Sequence, residues 1–175
     1  MVVIRPAELD DIPAITAIYC VAVVDGMASF ELDPPSETEM QTRMHAILAA
    51  GFPYLVATRD QEVVGYGYLS AYRPRAAYKW AVENSIYVAP TAQRSGAGRL
   101  LLQALVDTAT DQGFRQIVAV IGDSQSQGSI GLHTALGFSH RGIVRSVGFK
   151  HGRWLDQVIM QLMIGAGDTT GPEQG

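Results

Sequence analysis

A carboxylate at position 83 interrupts a run otherwise suited to a strand, Val82-Glu83-Asn84-Ser85-Ile86-Tyr87-Val88. An acid in such a run is costly unless it faces a cleft, where a desolvated carboxylate can accept a proton. Strand alternation puts Glu83 on one face with Ser85 and Tyr87, an arrangement that a bulge would change. An edge-exposed or salt-bridged Glu is the competing reading. After Ala89 and Pro90 come Gln93-Arg94-Ser95-Gly96-Ala97-Gly98-Arg99 and then Leu100-Leu101-Leu102. Glycines in a loop that opens a helix let backbone N–H groups approach an anion, and the first helical turn adds unpaired donors at the positive end of the dipole. The stretch is built to hold phosphate, against the plainer reading of a Gly-rich turn before an ordinary helix. A dinucleotide fingerprint would need a third Gly where Leu101 stands, and a Walker loop would need Lys and Ser/Thr where Arg99 and Leu100 stand.

Positioning these groups takes a strand before the loop and a helix after it. Residues 2–5 read as a strand, and Asp10 or Asp11 as the cap of a helix with Ile12, Ile15, Tyr19 and Ala22 at helical spacing and Pro13 in its first turn. A loop over 26–35 carries Ser29-Phe30-Glu31. Ser36-Glu37-Thr38-Glu39 then reads as a capping box starting a helix to about Ala50. The β-rich runs 54–59 and 63–71 flank Asp60-Gln61-Glu62 as a hairpin, and the strand of Glu83 covers about 79–89. The helix after the phosphate loop runs about 98–112, with Leu102, Leu105 and Ala109 on one stripe and Gly113 as its stop. The uninterrupted apolar run 117–121 suits a parallel strand covered on both faces, completing a right-handed βαβ unit. A short helix over 129–136 and a hairpin of 138–148 with 153–163, turned at Lys150-His151-Gly152, close the fold. The expected class is α/β: a mixed sheet of about seven strands with about four helices, in one domain over 1–163. The tail 164–175, rich in Gly, Thr and acid, has little to bury and is expected to be disordered.

At 175 residues and 47% hydrophobic, the chain is long enough for one core and short for two. The formal charge is −4, and only Lys79 and Lys150 of the thirteen cationic residues are Lys, so no basic tract exists to neutralise nucleic acid. No apolar run approaches the ~20 residues of a membrane span and the start is too soon polar for a signal peptide, so a cytoplasmic protein is expected. The lone Cys20 excludes an internal disulfide and reads as a small core residue. His45, His133, His140 and His151 lack metal-ligand spacing, so no metal is expected.

Gln-Arg-x-Gly-x-Gly directly after Ile86-Tyr87-Val88 resembles the acetyl-CoA loop of the GCN5-related N-acetyltransferases (GNAT superfamily), and the element order resembles their fold over nearly all of residues 2–163. Residues 80–88, residues 118–123 with 132–138, and residues 147–156 are similar to the phosphinothricin and methionine sulfoximine acetyltransferases in particular. The resemblance implies that acetyl-CoA lies along Ile86, Tyr87 and Val88 like an added strand, with its pyrophosphate on Gln93, Arg94, Ser95, Gly96, Ala97, Gly98 and Arg99. The arm would enter where the strands of Glu83 and Val118 splay apart. Relatives commonly carry Asp-Asn-Ala-Ala-Ser where this chain has Gln125-Ser126-Gln127-Gly128-Ser129. Ser126 takes the position of the Asn that reaches the CoA arm, with a shorter reach that leaves Gln127 or a water as substitute.

Acetyl transfer from a thioester to an amine needs a deprotonated amine, a polarised carbonyl and a proton for the thiolate. Glu83 is the expected base, and a strand N–H near Val88 the expected polarising donor. His133 and Tyr87 are candidate proton donors, against a core-satisfied His133. Arg73 and Arg75 suit a substrate carboxylate or phosphinate, because a guanidinium binds two oxygens at once, against a pair of solvated loop residues. Phe30, Glu31 and Tyr78 are expected to complete the substrate wall, against an aromatic plug beside a solvated acid; Lys150 and His151 receive no role. The expected function is acetylation of a small amino-acid-like amine by a homodimer joined through the apolar hairpin ending at 154–163. Acetylation of protein N-termini or lysines, and a catalytically silent CoA sensor, are the alternatives.

Overall fold

Alternating apolar runs and helical stripes fold, in the computed structural model, into eleven main elements; the model describes residues 1–172. They are β1 (Val2–Pro6), α1 (Ile12–Val24), α2 (Glu37–Ala49), β2 (Tyr54–Arg59), β3 (Glu62–Ala71), β4 (Ala81–Val88), α3 (Ala97–Asp111), β5 (Gln116–Gly122), α4 (Gln127–Ala135), β6 (Ser139–Lys150) and β7 (Arg153–Met163). The strands form one sheet in the order β1-β2-β3-β4-β5-β7-β6. All neighbours are antiparallel except β4 and β5, which α3 connects as the βαβ unit. The expected mixed α/β fold is present.

Each face of the sheet has its own core. On one, α1 and α2 bury Ile15, Tyr19, Val23, Met40 and Met44 against Tyr54, Val56 and Tyr66. On the other, Leu102 and Leu105 of α3 pack on Leu69, Val82 and Ile117, and the cluster continues to Val158 and Met160 of β7. Close seating of α3 depends on a missing side chain in β3: a Cβ on Gly67 would lie 3.0 Å from the Ser85 carbonyl oxygen and 3.2 Å from Leu105.

Several local expectations need correction. Asp11 does not cap α1 with its side chain. It accepts 2.7 Å hydrogen bonds from both Arg5 guanidinium nitrogens and one from the Glu8 N–H, because an ion pair satisfies a buried carboxylate better than one backbone donor. Ser36 does cap α2, but Glu39 turns to Arg43 instead of closing the box. The strand of Glu83 begins at Ala81, since residues 76–78 form a 3₁₀ turn. Cys20 is half-buried rather than in the core. The tail does not begin free at 164: Ile164 is 6% exposed in the main core and its N–H donates to the Arg115 carbonyl, and turns over 165–169 follow. Residues 173–175 of the expected tail lie outside the described residues.

Candidate active site

Strands β4 and β5 pair in parallel from Ala81↔Gln116 to Asn84↔Ala119 and then part, β4 continuing with β3 to Val88 and β5 with β7 to Gly122. Among the described residues no strand meets the inner edge of residues 85–88, which leaves its backbone groups open to a ligand. A cleft of about 890 Å³ opens there. Its walls are Ile86, Tyr87 and Val88; Gln93, Arg94, Gly96, Gly98 and Arg99 at the start of α3; Ser126 and His133; and Ile18, Val21 and Ala22 of α1. A recess of about 60 Å³ continues between β4 and β5, bounded by Asn84, Ala119, Gly122, Ser126, Ser129 and His133 among others.

The loop expected at the pyrophosphate forms the floor of this cleft. Gly96 is the N-cap of α3 at φ +90°, a conformation that disfavours any side chain. Gly98 serves close approach instead: a Cβ there would lie 3.3 Å from Leu132 and 3.5 Å from Val88. Of the eleven residues expected at the cosubstrate, only Ser95 and Ala97 do not line the cleft. Ser95 Oγ donates to the Ala92 carbonyl, and Ala97 packs with Leu101 in a small core. Gln127, the expected substitute for the missing Asn, donates to Ser124 instead, and Ser126 Oγ donates to the Gly122 carbonyl at 2.6 Å.

Glu83 and Asn84 face opposite sides of β4. Alternation holds, with no bulge in the β3–β4 register: Glu83 lies opposite Ser70 and Ser85 opposite Tyr68. Burial raises the Glu83 carboxyl above its ordinary value and Arg73 partly opposes the rise. Among the described residues nothing forms a hydrogen bond with that carboxylate. Asn84 is 5% exposed, and its Nδ2 lies 3.0 Å from His133 Nε2. His133 Nδ1 lies 2.8 Å from the Ser129 carbonyl, which can only accept, so Nδ1 carries the proton and Nε2 accepts from Asn84. Burial lowers the His133 pKa and the Ser129 carbonyl only partly opposes it, which favours the neutral ring. In this arrangement no His133 proton points at the cleft, which favours the core-satisfied reading of that residue over a proton donor. Tyr87 stacks on Tyr66 and takes Tyr19 edge-on at 5.0 Å, and burial holds its hydroxyl protonated far above the usual range.

The residues expected at the substrate line neither cavity. Arg73 lies over the Tyr72 ring at 4.8 Å, and Tyr72 meets Tyr78 edge-on, with Arg75 and Tyr78 exposed on the loop before β4. Phe30 is an aromatic plug: a Cβ on Gly148 would lie 2.6 Å from its ring. Glu31 is partly exposed but paired. It accepts from Arg43 at 2.7 Å and Tyr19 at 2.7 Å; burial pushes its carboxyl up, but those bonds outweigh it and hold it below the usual range. Lys150 acquires a position too, buried with Nζ donating to the Ser29 carbonyl at 2.8 Å, so the hairpin of β6 and β7 anchors the loop that carries Met27 and Ala28 into the cleft.

Sequence reasoning missed the contribution of α1, of Asn84 and of Lys150. α1 gave a signal, being apolar around most of its circumference, as a helix between a sheet and a cleft must be. Asn84 gave a weaker one, an amide inside a strand.

A mixed sheet that parts beside a Gly-bearing helix start offers a ligand an open strand edge next to a turn suited to an anion. Comparison with known proteins narrows the class. The model of the acetyltransferase (GNAT) domain matches residues 4–159. The phosphinothricin N-acetyltransferase of Alcaligenes faecalis is 51% identical over 170 residues, 97% of this chain and 86% of that protein. The L-methionine sulfoximine/L-methionine sulfone acetyltransferase of Pseudomonas aeruginosa is 40% identical over 160 residues, 91% of this chain and 92% of that protein. A crystal structure of a GNAT superfamily phosphinothricin acetyltransferase from Sinorhizobium meliloti in complex with AcCoA superposes with a TM-score of 0.97 at 46% identity, covering 99% of this chain and 94% of that one. The chain belongs to the GNAT acetyltransferase family. It is an N-acetyltransferase, and acetyl-CoA is its cosubstrate. Among the described residues no helix is long and apolar enough to cross a membrane.

Proposed function

We propose that the enzyme acetylates the α-amine of a small amino-acid analogue such as phosphinothricin or methionine sulfoximine, with Glu83 as general base. The observation that carries the mechanism is a half-buried carboxylate of raised pKa that has no hydrogen-bond partner, on the strand whose free edge borders the cleft. Acetyl-CoA supplies the acetyl thioester. Arg94, Gly96, Gly98 and Arg99 hold its pyrophosphate at the start of α3, and the unpaired edge of 85–88 bonds the arm and polarises the thioester carbonyl. Glu83 takes the proton of the attacking amine, directly or through a water, as the C–N bond forms; the C–S bond of the thioester then breaks and CoA leaves as a thiolate that takes its proton from solvent. Arg73 and Arg75 hold the acceptor's acidic oxygens on the Glu83 side of the sheet, with Tyr78 beside them; Phe30 and Glu31 shape that side from behind, through Tyr19 and Arg43. The reading extends to one catalytic domain over the sheet and helices, to a second copy at the exposed hairpin, and to the cytoplasm as the place where acetyl-CoA is available.

The test is release of free CoA with phosphinothricin, methionine sulfoximine, ordinary amino acids and an N-terminal peptide as acceptors. Turnover with the two analogues at a kcat/KM at least about tenfold above that for the peptide is expected. Preference for the peptide would install protein acetylation in its place, and absence of turnover with tight CoA binding would install the sensor.

A further inference from the structure

Asn84 Oδ1 is a fully buried side-chain acceptor without a hydrogen-bond partner, the one such atom among the described residues. Leaving an acceptor unmet costs about 1–3 kcal/mol, so its place in the fold needs a donor. The amide cannot simply turn over: its Nδ2 is the donor to His133 Nε2, and His133 is itself fixed through Nδ1 to Ser129. The pair therefore holds Oδ1 in place. Asn84 is also the last β4 residue paired with β5, at the innermost point of the parting, and it bounds the 60 Å³ recess into which the cleft narrows. Ser126 Oγ, which also borders the recess, donates to the Gly122 carbonyl and, unlike Oδ1, already has a hydrogen-bond partner.

We propose that Asn84 Oδ1 accepts the N–H of the pantetheine amide next to the thioester, so that Asn84 and His133 together set the depth of the acetyl group. This rests on the arrangement proposed above, in which the pyrophosphate sits at Gly96 and Gly98 and the arm follows residues 85–88 inward. Val88 borders the pyrophosphate end, and Asn84 lies four strand residues, roughly 13 Å, deeper. Of the arm's two amides the one beside the thioester therefore meets it. The thioester itself has no donor, and the attacking amine arrives from the opposite face of β4, where Glu83 lies. His133 here is a positioning residue, a neutral acceptor that orients the Asn84 amide.

The experiment is calorimetric titration of the whole protein with three ligands: CoA, CoA methylated on the amide nitrogen beside the thiol, and adenosine 3′,5′-bisphosphate, which has no arm. Against the wild type, the methylated ligand is expected to bind about tenfold more weakly than CoA. Asn84→Leu, close in volume and without polar atoms, is expected to bind CoA about tenfold more weakly, the bisphosphate unchanged, and the methylated ligand no more weakly than CoA. If the Leu variant does not fold, the wild-type comparison of CoA with the methylated ligand carries the test alone, and equal affinities for the two would overturn the proposal. Equal loss of CoA and bisphosphate would make Asn84 purely structural and overturn the proposal, as would a methylation penalty that persists in Asn84→Leu. Unchanged CoA affinity with a raised KM for the amine would assign Oδ1 to the acceptor instead. Wild type that binds bisphosphate but gains nothing from the arm would overturn the placement of the arm on β4 as well.

Discussion

Glu83 and Asn84 are neighbours that the pleat of one strand sends to opposite faces, and each is left with something unmet: the carboxylate lacks a hydrogen-bond partner, the amide oxygen a donor. For Glu83 the consequence is kinetic. Glu83→Gln preserves shape and removes the proton acceptor, so kcat near neutral pH is expected to fall ~10²- to 10⁴-fold while acetyl-CoA affinity changes by no more than a few-fold. Raising the pH is expected to recover part of the loss, because more of the amine arrives deprotonated; near-normal kcat between about pH 6 and pH 9 would remove Glu83 from the role. Burial raises the Glu83 pKa and Arg73 opposes it, so, with Glu83 as base, the acid limb of kcat/KM is expected above the ordinary carboxylate value. Arg73→Ala removes the opposing cation, and a pH–rate profile is expected to show that limb moving further up. Arg75→Ala has no such link: a raised KM for the acceptor with an unchanged KM for acetyl-CoA is the expected result of initial-rate measurements, and equal changes in both would make Arg75 structural.

The elements around the cleft are positioned by small residues and by single long-range contacts. Gly96 opens α3 in the left-handed region, where a side chain costs about 1–2 kcal/mol, and its N–H lies in the turn proposed to bind the pyrophosphate. Gly96→Val is therefore expected to lower stability by about that amount and to weaken acetyl-CoA binding by more than this strain explains. Thermal unfolding and calorimetric titration read the two effects separately. Unchanged affinity in the folded variant would take the loop out of the site. On the other wall, the loop of Met27 and Ala28 is held by Phe30 against Gly148 and by Lys150 on Ser29, so the far hairpin fixes part of the cleft. Asp156 ties that hairpin down: it accepts from the Ser146 N–H, from Arg145 and from Ser124 Oγ, spanning the irregular stretch of β6 and the loop that leads to α4.

At the scale of the whole molecule the sheet ends in β6, an edge strand with Ile143, Val144, Val147 and Phe149 exposed and Trp154 of β7 63% exposed beside them. Phe149 and Trp154 pack edge to face at 5.3 Å, forming an apolar ridge left exposed among the described residues. A two-fold pairing of copies would bury it. Sedimentation at micromolar concentration is expected to give the mass of a dimer, and Trp154→Glu to shift it towards monomer. A monomer in the wild type would overturn the assembly.

Fold and cosubstrate cleft were legible in the chain because they rest on local chemistry. Period-2 and period-3.6 patterns set the strands and helices, the apolar run at 117–121 marked a strand covered on both faces, and the glycines before Leu100 marked a helix that begins at an anion site. Those signals need no knowledge of what lies opposite. The remaining features depend on residues far apart in sequence and so have no local signature. Glu31 answers to Arg43, Lys150 to Ser29 across 121 positions, and Asn84 to His133 across 49. Whether a polar side chain is solvated, paired or left waiting for a ligand is decided by its neighbours in space, and only the tertiary structure brings those neighbours together. The sequence by itself determined the order of the elements and a glycine-bearing turn before α3; packing decided that His133 meets Asn84, that Phe30 is a plug and that one amide oxygen at the bottom of the recess has no partner among the described residues.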